Sequence, residues 1–271
     1  MPSRMLRALA NTRAGLWARH FTGLFPPAYP FVPDLEEVVS DLFLWRNDAQ
    51  WETGFDLCHI AGLVNPRLDR PYEALIRLHD SAGAVIATLS REVRFGEVQP
   101  LALDELLAGR QGYGTFSVFH LVSSREVFGE ERTCLTERGY VSYRRRHDAL
   151  RSYVHGNLYA VGCHPVTRRM RNLGAVSRNE QVYRPQVRLD DCAYAELALS
   201  NFTTRPIAVS VGPIDGRAAR REFSLAPSGS LVLDTRDALA GWPLVSLRSR
   251  AAFLRPLVFK HYATHFDPMH G

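Results

Sequence analysis

One order of features occurs twice along this 271-residue chain, and it limits the fold more than composition does. The first copy begins at His59-Ile60-Ala61-Gly62-Leu63-Val64-Asn65, passes Arg70-Pro71 and the alternating segment Ala74-Leu75-Ile76-Arg77-Leu78, and turns at Asp80-Ser81-Ala82-Gly83. It continues through Val93 and Pro100 to Leu101-Ala102-Leu103-Asp104 and closes at Leu106-Leu107-Ala108-Gly109. The second copy reads Ala195-Glu196-Leu197-Ala198-Leu199-Ser200-Asn201, Arg205-Pro206, Ala208-Val209-Ser210-Val211, Asp215-Gly216, Leu225, Pro227, Leu231-Val232-Leu233-Asp234 and Leu239-Ala240-Gly241. Strand, Asn turn, Arg-Pro, strand, Asp/Gly hairpin, strand and Leu-x-Leu-Asp keep their order, which is the mark of an internal repeat.

Each copy is built of short period-two segments with Asn, Pro, Asp and Gly between them, the pattern of an antiparallel sandwich and not of an α/β fold. Gly83 and Gly216 suit hairpin turns that need positive φ, and Pro71 and Pro206 stand where a strand starts, a place that tolerates the missing N–H. The expected fold is mainly β: two tandem, duplicated antiparallel β-sandwich units of immunoglobulin-like size behind a short helical or extended N-terminal arm. The expected organisation is a basic arm and Pro-rich connector over 1–39, a first unit over 40–160, an Arg-rich linker or functional loop over 161–180, and a second unit with a His-rich tail over 181–271. Helix is expected at 3–20 and at 34–44, where Asp34 would cap the run Leu35-Glu36-Glu37-Val38-Val39, with short turns at 104–108 and 235–240.

No apolar run reaches the roughly 20 residues that cross a bilayer, and arginine interrupts the first 33 residues too often for a secretory signal. Those residues contain no acid and carry Arg4, Arg7, Arg13 and Arg19 among Leu6, Leu9, Leu16 and Trp17, the makings of a basic amphipathic helix that packs on the body or meets a membrane surface. Cys58, Cys134, Cys163 and Cys192 form no C-x-x-C pair, so reduced thiols in a cytoplasmic protein are expected. The net charge of +5 is almost wholly arginine, Lys260 being the only lysine. Without a helix-turn-helix, zinc-finger or RNP motif, that charge does not point to nucleic acid.

The chemistry-bearing stretch is the C-terminal end, His261-Tyr262-Ala263-Thr264-His265-Phe266-Asp267-Pro268-Met269-His270-Gly271, with three of the ten histidines beside a carboxylate. On a strand His265 and Asp267 share a face about 6.6 Å apart, within reach of one ion, whereas His261 and His265 would be about 13 Å apart. In the repeat alignment the strand Gly139–Tyr143 corresponds to Arg255–Phe259, and both run into histidines: His147 and His155 in one half, His261, His265 and His270 in the other. If these ends meet, His265, Asp267 and His155, with His261 and His270 as alternates, would bind a divalent iron, zinc or manganese ion. The spelling His265-x-Asp267 resembles the facial triad of iron oxygenases, without the distant His on a double-stranded barrel that completes it.

Two functions follow as expectations. One is a metal-binding protein, a candidate non-heme iron, zinc or manganese enzyme of undecided reaction class with its His/Asp site between the two units, that takes a small anionic substrate on Arg144, Arg145, Arg168 and Arg169. The other is a non-catalytic module recognising a glycan or a protein through Trp45, Trp51, Tyr113, Tyr140 and Tyr143, with edge strands favouring a homodimer. Gly-x-Ser-x-Gly, P-loop and dinucleotide motifs are absent.

Overall fold

The computed structural model describes residues 9–10, 12–22, 36–129, 133–216, 218–239, 241–252 and 254–271. The Pro-rich connector and most of the N-terminal arm lie outside them. The described chain begins with helix α1 (Arg13–Thr22) and continues with β1 (Val38–Asn47), β2 (Trp51–Cys58), α2 (Ile60–Val64), β3 (Tyr72–Asp80), β4 (Val85–Val93), β5 (Val98–Ala102) and α3 (Leu103–Leu106). Next come β6 (Gly112–His120), α4 (Ser124–Phe128), β7 (Thr136–Glu137), β8 (Tyr140–Arg145), β9 (Ser152–His155), β10 (Asn157–Cys163) and β11 (Met170–Asn172). The second half holds β12 (Val176–Tyr183), β13 (Tyr194–Ser200), β14 (Ile207–Pro213), β15 (Arg221–Leu225), β16 (Ser230–Asp234), β17 (Val245–Ala251), β18 (Leu257–His261) and β19 (Phe266–His270).

The fold is mainly antiparallel β, arranged as two sandwiches. In the first, the sheet β11-β10-β1-β6-β3-β4, with β7 beside β1, faces the sheet β5-β2-β8-β9. In the second, β12-β17-β14-β15 faces β16-β13-β18-β19. Reading β12 to β17 for β1 to β6, and β18 and β19 for β8 and β9, gives the same strand order in both, with β7, β10 and β11 as additions to the first. Alternation puts every second side chain inward: Phe43 and Trp45 of β1, Ile76 and Leu78 of β3, and Phe116 and Val118 of β6 meet Trp51, Phe55 and Leu57 of β2 and Val141 and Tyr143 of β8. The second core is lined by Leu197, Leu199, Val209, Val211, Val245, Leu247 and Val258.

Three local expectations are corrected. The helix expected over 34–44 is strand from Val38 onward, and Asp34 lies outside the described residues. Every residue of β1 is buried: its edges pair with β10 on one side and with β7 and β6 on the other, Phe43 and Trp45 pack in the sandwich core, and Val38 and Leu42 pack in a second cluster with Phe119, Val127 and Phe202. Strands covered on both faces read as continuous apolar runs, which periodicity alone cannot tell from helix. The segment aligned with strand β13, residues 59–65, is the helix α2, capped by His59 Nδ1 accepting the Gly62 N–H at 3.0 Å; by topology the partner of β13 is β2. The stretch 161–180, expected as an Arg-rich linker or functional loop, carries the end of β10, all of β11 and the start of β12.

The sandwiches touch through their cores. Trp51 sits 5.4 Å from Phe259 and 4.7 Å from Phe266, ring centre to ring centre, and Tyr143 sits 4.9 Å from Phe259. Trp45, Trp51 and Tyr143, expected on a recognition surface, are therefore core residues. Among the described residues no helix is long and apolar enough to cross a membrane.

Candidate functional site at the junction of the sandwiches

Two polar regions lie between the sandwiches. The first surrounds His261, the last residue of β18. Its Nε2 lies 2.7 Å from Glu196 of β13 and its Nδ1 lies 2.8 Å from Arg145 of β8. A guanidinium can only donate, so Nδ1 accepts and Nε2–H donates to the carboxylate. Glu196 also receives both terminal nitrogens of Arg46, at 2.6 and 3.0 Å, the bidentate geometry that suits a carboxylate. Burial would raise the Glu196 carboxyl, but the hydrogen bonds from His261 and Arg46 and the Arg46 charge outweigh it and hold it at about 2. Tyr194 stacks on His261 at 4.0 Å, and the Arg46 guanidinium lies 4.5 Å above the Trp51 ring. With both ring nitrogens engaged, His261 has no lone pair left for a metal.

The other expected ligands fall into two pairs. His155 and His270 come together because β9 lies against β19, its topological counterpart. His270 Nε2 donates to the His155 carbonyl at 2.9 Å, and His155 Nδ1 donates to the Arg138 carbonyl at 2.9 Å. His270 Nδ1 is buried without a partner, and burial, with the Arg255 charge, lowers this imidazole to about 4. His265, in the turn between β18 and β19, and Asp267, the second residue of β19, are both exposed, Nε2 to Oδ2 3.9 Å apart, with His265 stacked on Tyr262. Among the described residues no three of His, Cys, Asp and Glu converge as a metal would require.

The arginines named for an anionic substrate are mostly in use. Arg144 and Arg151 share Glu52, Arg145 holds His261, and Arg168 pairs with Glu73; Arg169 is exposed.

The second polar region is a cavity of about 250 Å³, and it uses residues that sequence reasoning did not single out. In antiparallel register Arg77 of β3 stands opposite Ser117 of β6. Because Ile76 and Leu78 point into the core, Arg77 and His79 project from the other face of the sheet. The β10–β11 hairpin walls one side with Val161, Met170 and Asn172, and the second sandwich closes the top with Thr204, Pro227 and Ser228. That closure is tight: Gly83, at φ +83°, is so close to Pro227 that a Cβ would sit 2.2 Å from the Pro227 carbonyl oxygen. Thr115 donates to the Ser228 carbonyl at 2.6 Å, and Asn172 donates to the Thr203 carbonyl at 2.9 Å.

Three polar atoms around this cavity, Arg77 Nε, His79 Nδ1 and Ser117 Oγ, are buried and have no hydrogen-bond partner in the protein. His79 is 8% exposed and Ser117 1%. Arg77 contacts the Met170 sulfur but has no carboxylate among the described residues. Burial, reinforced by the Arg77 charge, lowers His79 to about 4, so the imidazole is neutral near pH 7. Orphaned buried polar groups cost free energy unless something meets them.

No family model matches the chain, and no curated protein matches it. Among solved structures, a Bacillus subtilis oxalate decarboxylase with Mn(II) centres aligns with 86% of this chain and 69% of its own, at 10% identity and a TM-score of 0.18. A likeness of that size carries no argument about fold, metal or reaction.

Proposed function

We propose that the protein is a binding module built of two β-sandwiches that takes a small anion, a carboxylate or a phosphate ester, into the cavity between them. The observation that carries this reading is that Arg77, His79 and Ser117 line one cavity and each keeps a buried side-chain polar atom, Nε, Nδ1 and Oγ, without a partner in the protein. A guanidinium and a hydroxyl are donors, and so is an imidazole whose proton is on Nδ1. Together they complement an oxyanion, and a negative ligand would offset the unpaired Arg77 charge. The volume suits a ligand of phosphate-ester size, and clefts between units are favoured ligand sites. His79 Nδ1 and Ser117 Oγ share no hydrogen bond, so the hydroxyl has no base to activate it; binding accounts for the geometry without a reaction.

The test is thermal unfolding and titration calorimetry with inorganic phosphate, succinate and acetate as probes. At least one should raise the melting temperature and bind with one-to-one stoichiometry, and Arg77→Gln should abolish both effects while Arg144→Gln leaves them intact. If none of the probes binds, or if Arg77→Gln binds them equally well, the cavity holds only water and the proposal fails.

The metal-enzyme reading is a separate proposal resting on His265 and Asp267, the one expected ligand pair whose side chains face each other. It needs a third ligand from outside the described residues, from solvent or from a second copy of the chain.

A further inference from the structure

Helix α1 presents an apolar face to solvent. Thr12 caps it, its hydroxyl accepting the Gly15 N–H at 3.1 Å, and the helix rests on β12 with Leu16 and Arg19 half-buried. Trp17 and Phe21, one turn apart, are 62% and 69% exposed and stack at 5.4 Å. Phe21 is also the rim of a groove of about 560 Å³ on the second sandwich, where Arg178, Arg205 and Arg250 stand. Among the described residues no acidic side chain lines that groove and none of the three guanidiniums has a carboxylate partner, although Arg250 Nε donates to the Ser177 carbonyl at 3.0 Å. The first 33 residues, from which the helix arises, contain four arginines and no acid.

We propose that α1 and this groove form a docking surface for an anionic phospholipid bilayer, with Trp17 and Phe21 entering the headgroup layer and Arg178, Arg205 and Arg250 meeting lipid phosphates. Two independent features point to the same occupant. Stacked, exposed Trp and Phe are at home at the boundary between headgroups and acyl chains. Unpaired arginines beside them complement negative lipid, each strengthening attachment roughly fivefold near an anionic surface. The groove shares only Thr204 with the lining of the Arg77 cavity and does not depend on the function proposed for that cavity.

The experiment is co-sedimentation of the full chain with vesicles of phosphatidylcholine alone and of phosphatidylcholine with phosphatidylglycerol. The protein should sediment with the anionic vesicles only, and less so as salt rises. Replacing Arg178, Arg205 and Arg250 together by Gln should weaken binding on the order of a hundredfold, and W17A/F21A should also weaken it, with circular dichroism confirming that each variant is folded. Brominated lipid should quench tryptophan fluorescence in the native chain but not in Trp17→Phe, which should still sediment because Phe keeps the apolar contact. Arg77→Gln should bind vesicles as the native chain does. Failure to sediment with anionic vesicles overturns the proposal, as does binding that neither surface variant weakens. Binding of a single-stranded RNA by these residues, without binding of vesicles, would identify a nucleic-acid surface and overturn it as well.

Discussion

The two polar regions between the sandwiches differ in one respect that separates a fastener from a receptor. Around His261 the donors and acceptors meet one another: Arg46 and His261 converge on Glu196, Arg145 fills the remaining imidazole nitrogen, and only Arg46 Nε is left, beside the Trp51 ring. Around Arg77 the same residue types, an arginine and a histidine, are paired with no carboxylate among the described residues, and each lines a cavity with a buried polar atom left unpartnered. A satisfied buried network holds two surfaces in register, whereas an unsatisfied one is stabilised by whatever it binds. The contrast also accounts for the pKa directions, since Glu196 is held low by its partners while His79 is lowered by burial and by an unneutralised neighbour.

The largest effect expected is at the fastener. Glu196→Ala leaves Arg46 without its carboxylate in a nearly buried site and should cost about 3–5 kcal/mol in urea unfolding. A loss below about 1 kcal/mol would show that the pair adds little to holding the sandwiches together. The pH dependence follows from a folded value near 2 against an ordinary 4.5. Because the folded value is depressed, the stability it contributes is full above pH 4.5 and is lost as pH falls toward 2. Glu196→Gln should flatten that part of the stability profile, and an unchanged acid limb would contradict the assignment.

Gly83→Ala tests the closure of the cavity. At φ +83° and with the Pro227 carbonyl in the way, the added methyl should cost about 2 kcal/mol or more. It should also weaken the anion binding proposed for the cavity by displacing the Pro227-Ser228 wall. Full stability with undiminished binding would mean that the second sandwich does not form that wall in solution. Arg77→Gln sharpens the contrast from the other side: without anion its stability should change by less than about 1 kcal/mol, since only the contact with the Met170 sulfur is lost and no carboxylate is left behind, yet stabilisation by anion should vanish.

The smallest effect belongs to the exposed hairpin. H265A/D267A should alter stability by less than about 0.5 kcal/mol, as exposed substitutions generally do. Elemental analysis is the decisive measurement at that position. One iron, zinc or manganese per chain, lost in the double variant, would make the hairpin a ligand source after all. Truncation at Lys260 is a poorer probe, because it removes Phe266 from the shared core as well.

Much of the strand pattern was legible because half-buried strands alternate. Ala74 to Leu78 lies in β3, Ala195 to Ser200 in β13, and Gly83 and Gly216 take the positive φ their hairpins need. β1 was misread because burial on both faces erases alternation, and α2 because five residues with a His cap carry too little period to be told from strand. The meeting of His155 and His270 was foreseeable from the repeated order of features, but not what their nitrogens bond to. Arg77, His79 and Ser117 were overlooked for a related reason. On the outer face of a sheet, polar side chains ordinarily meet water, and nothing in the surrounding sequence marks these three as covered.

From sequence alone came the class of fold, the punctuation of its strands and the coincidence of histidines at the ends of corresponding strands, because period and turn chemistry are local properties of a chain. Tertiary structure alone decided which polar groups found partners. His261 became a clamp because Glu196 and Arg145 arrive from 65 and 116 residues away, and Arg77 became the wall of a cavity because Pro227 and Ser228 close over it from the other sandwich. Burial, and with it the strength of every charge and hydrogen bond, is set by what packs opposite a residue, and that neighbour is remote in sequence.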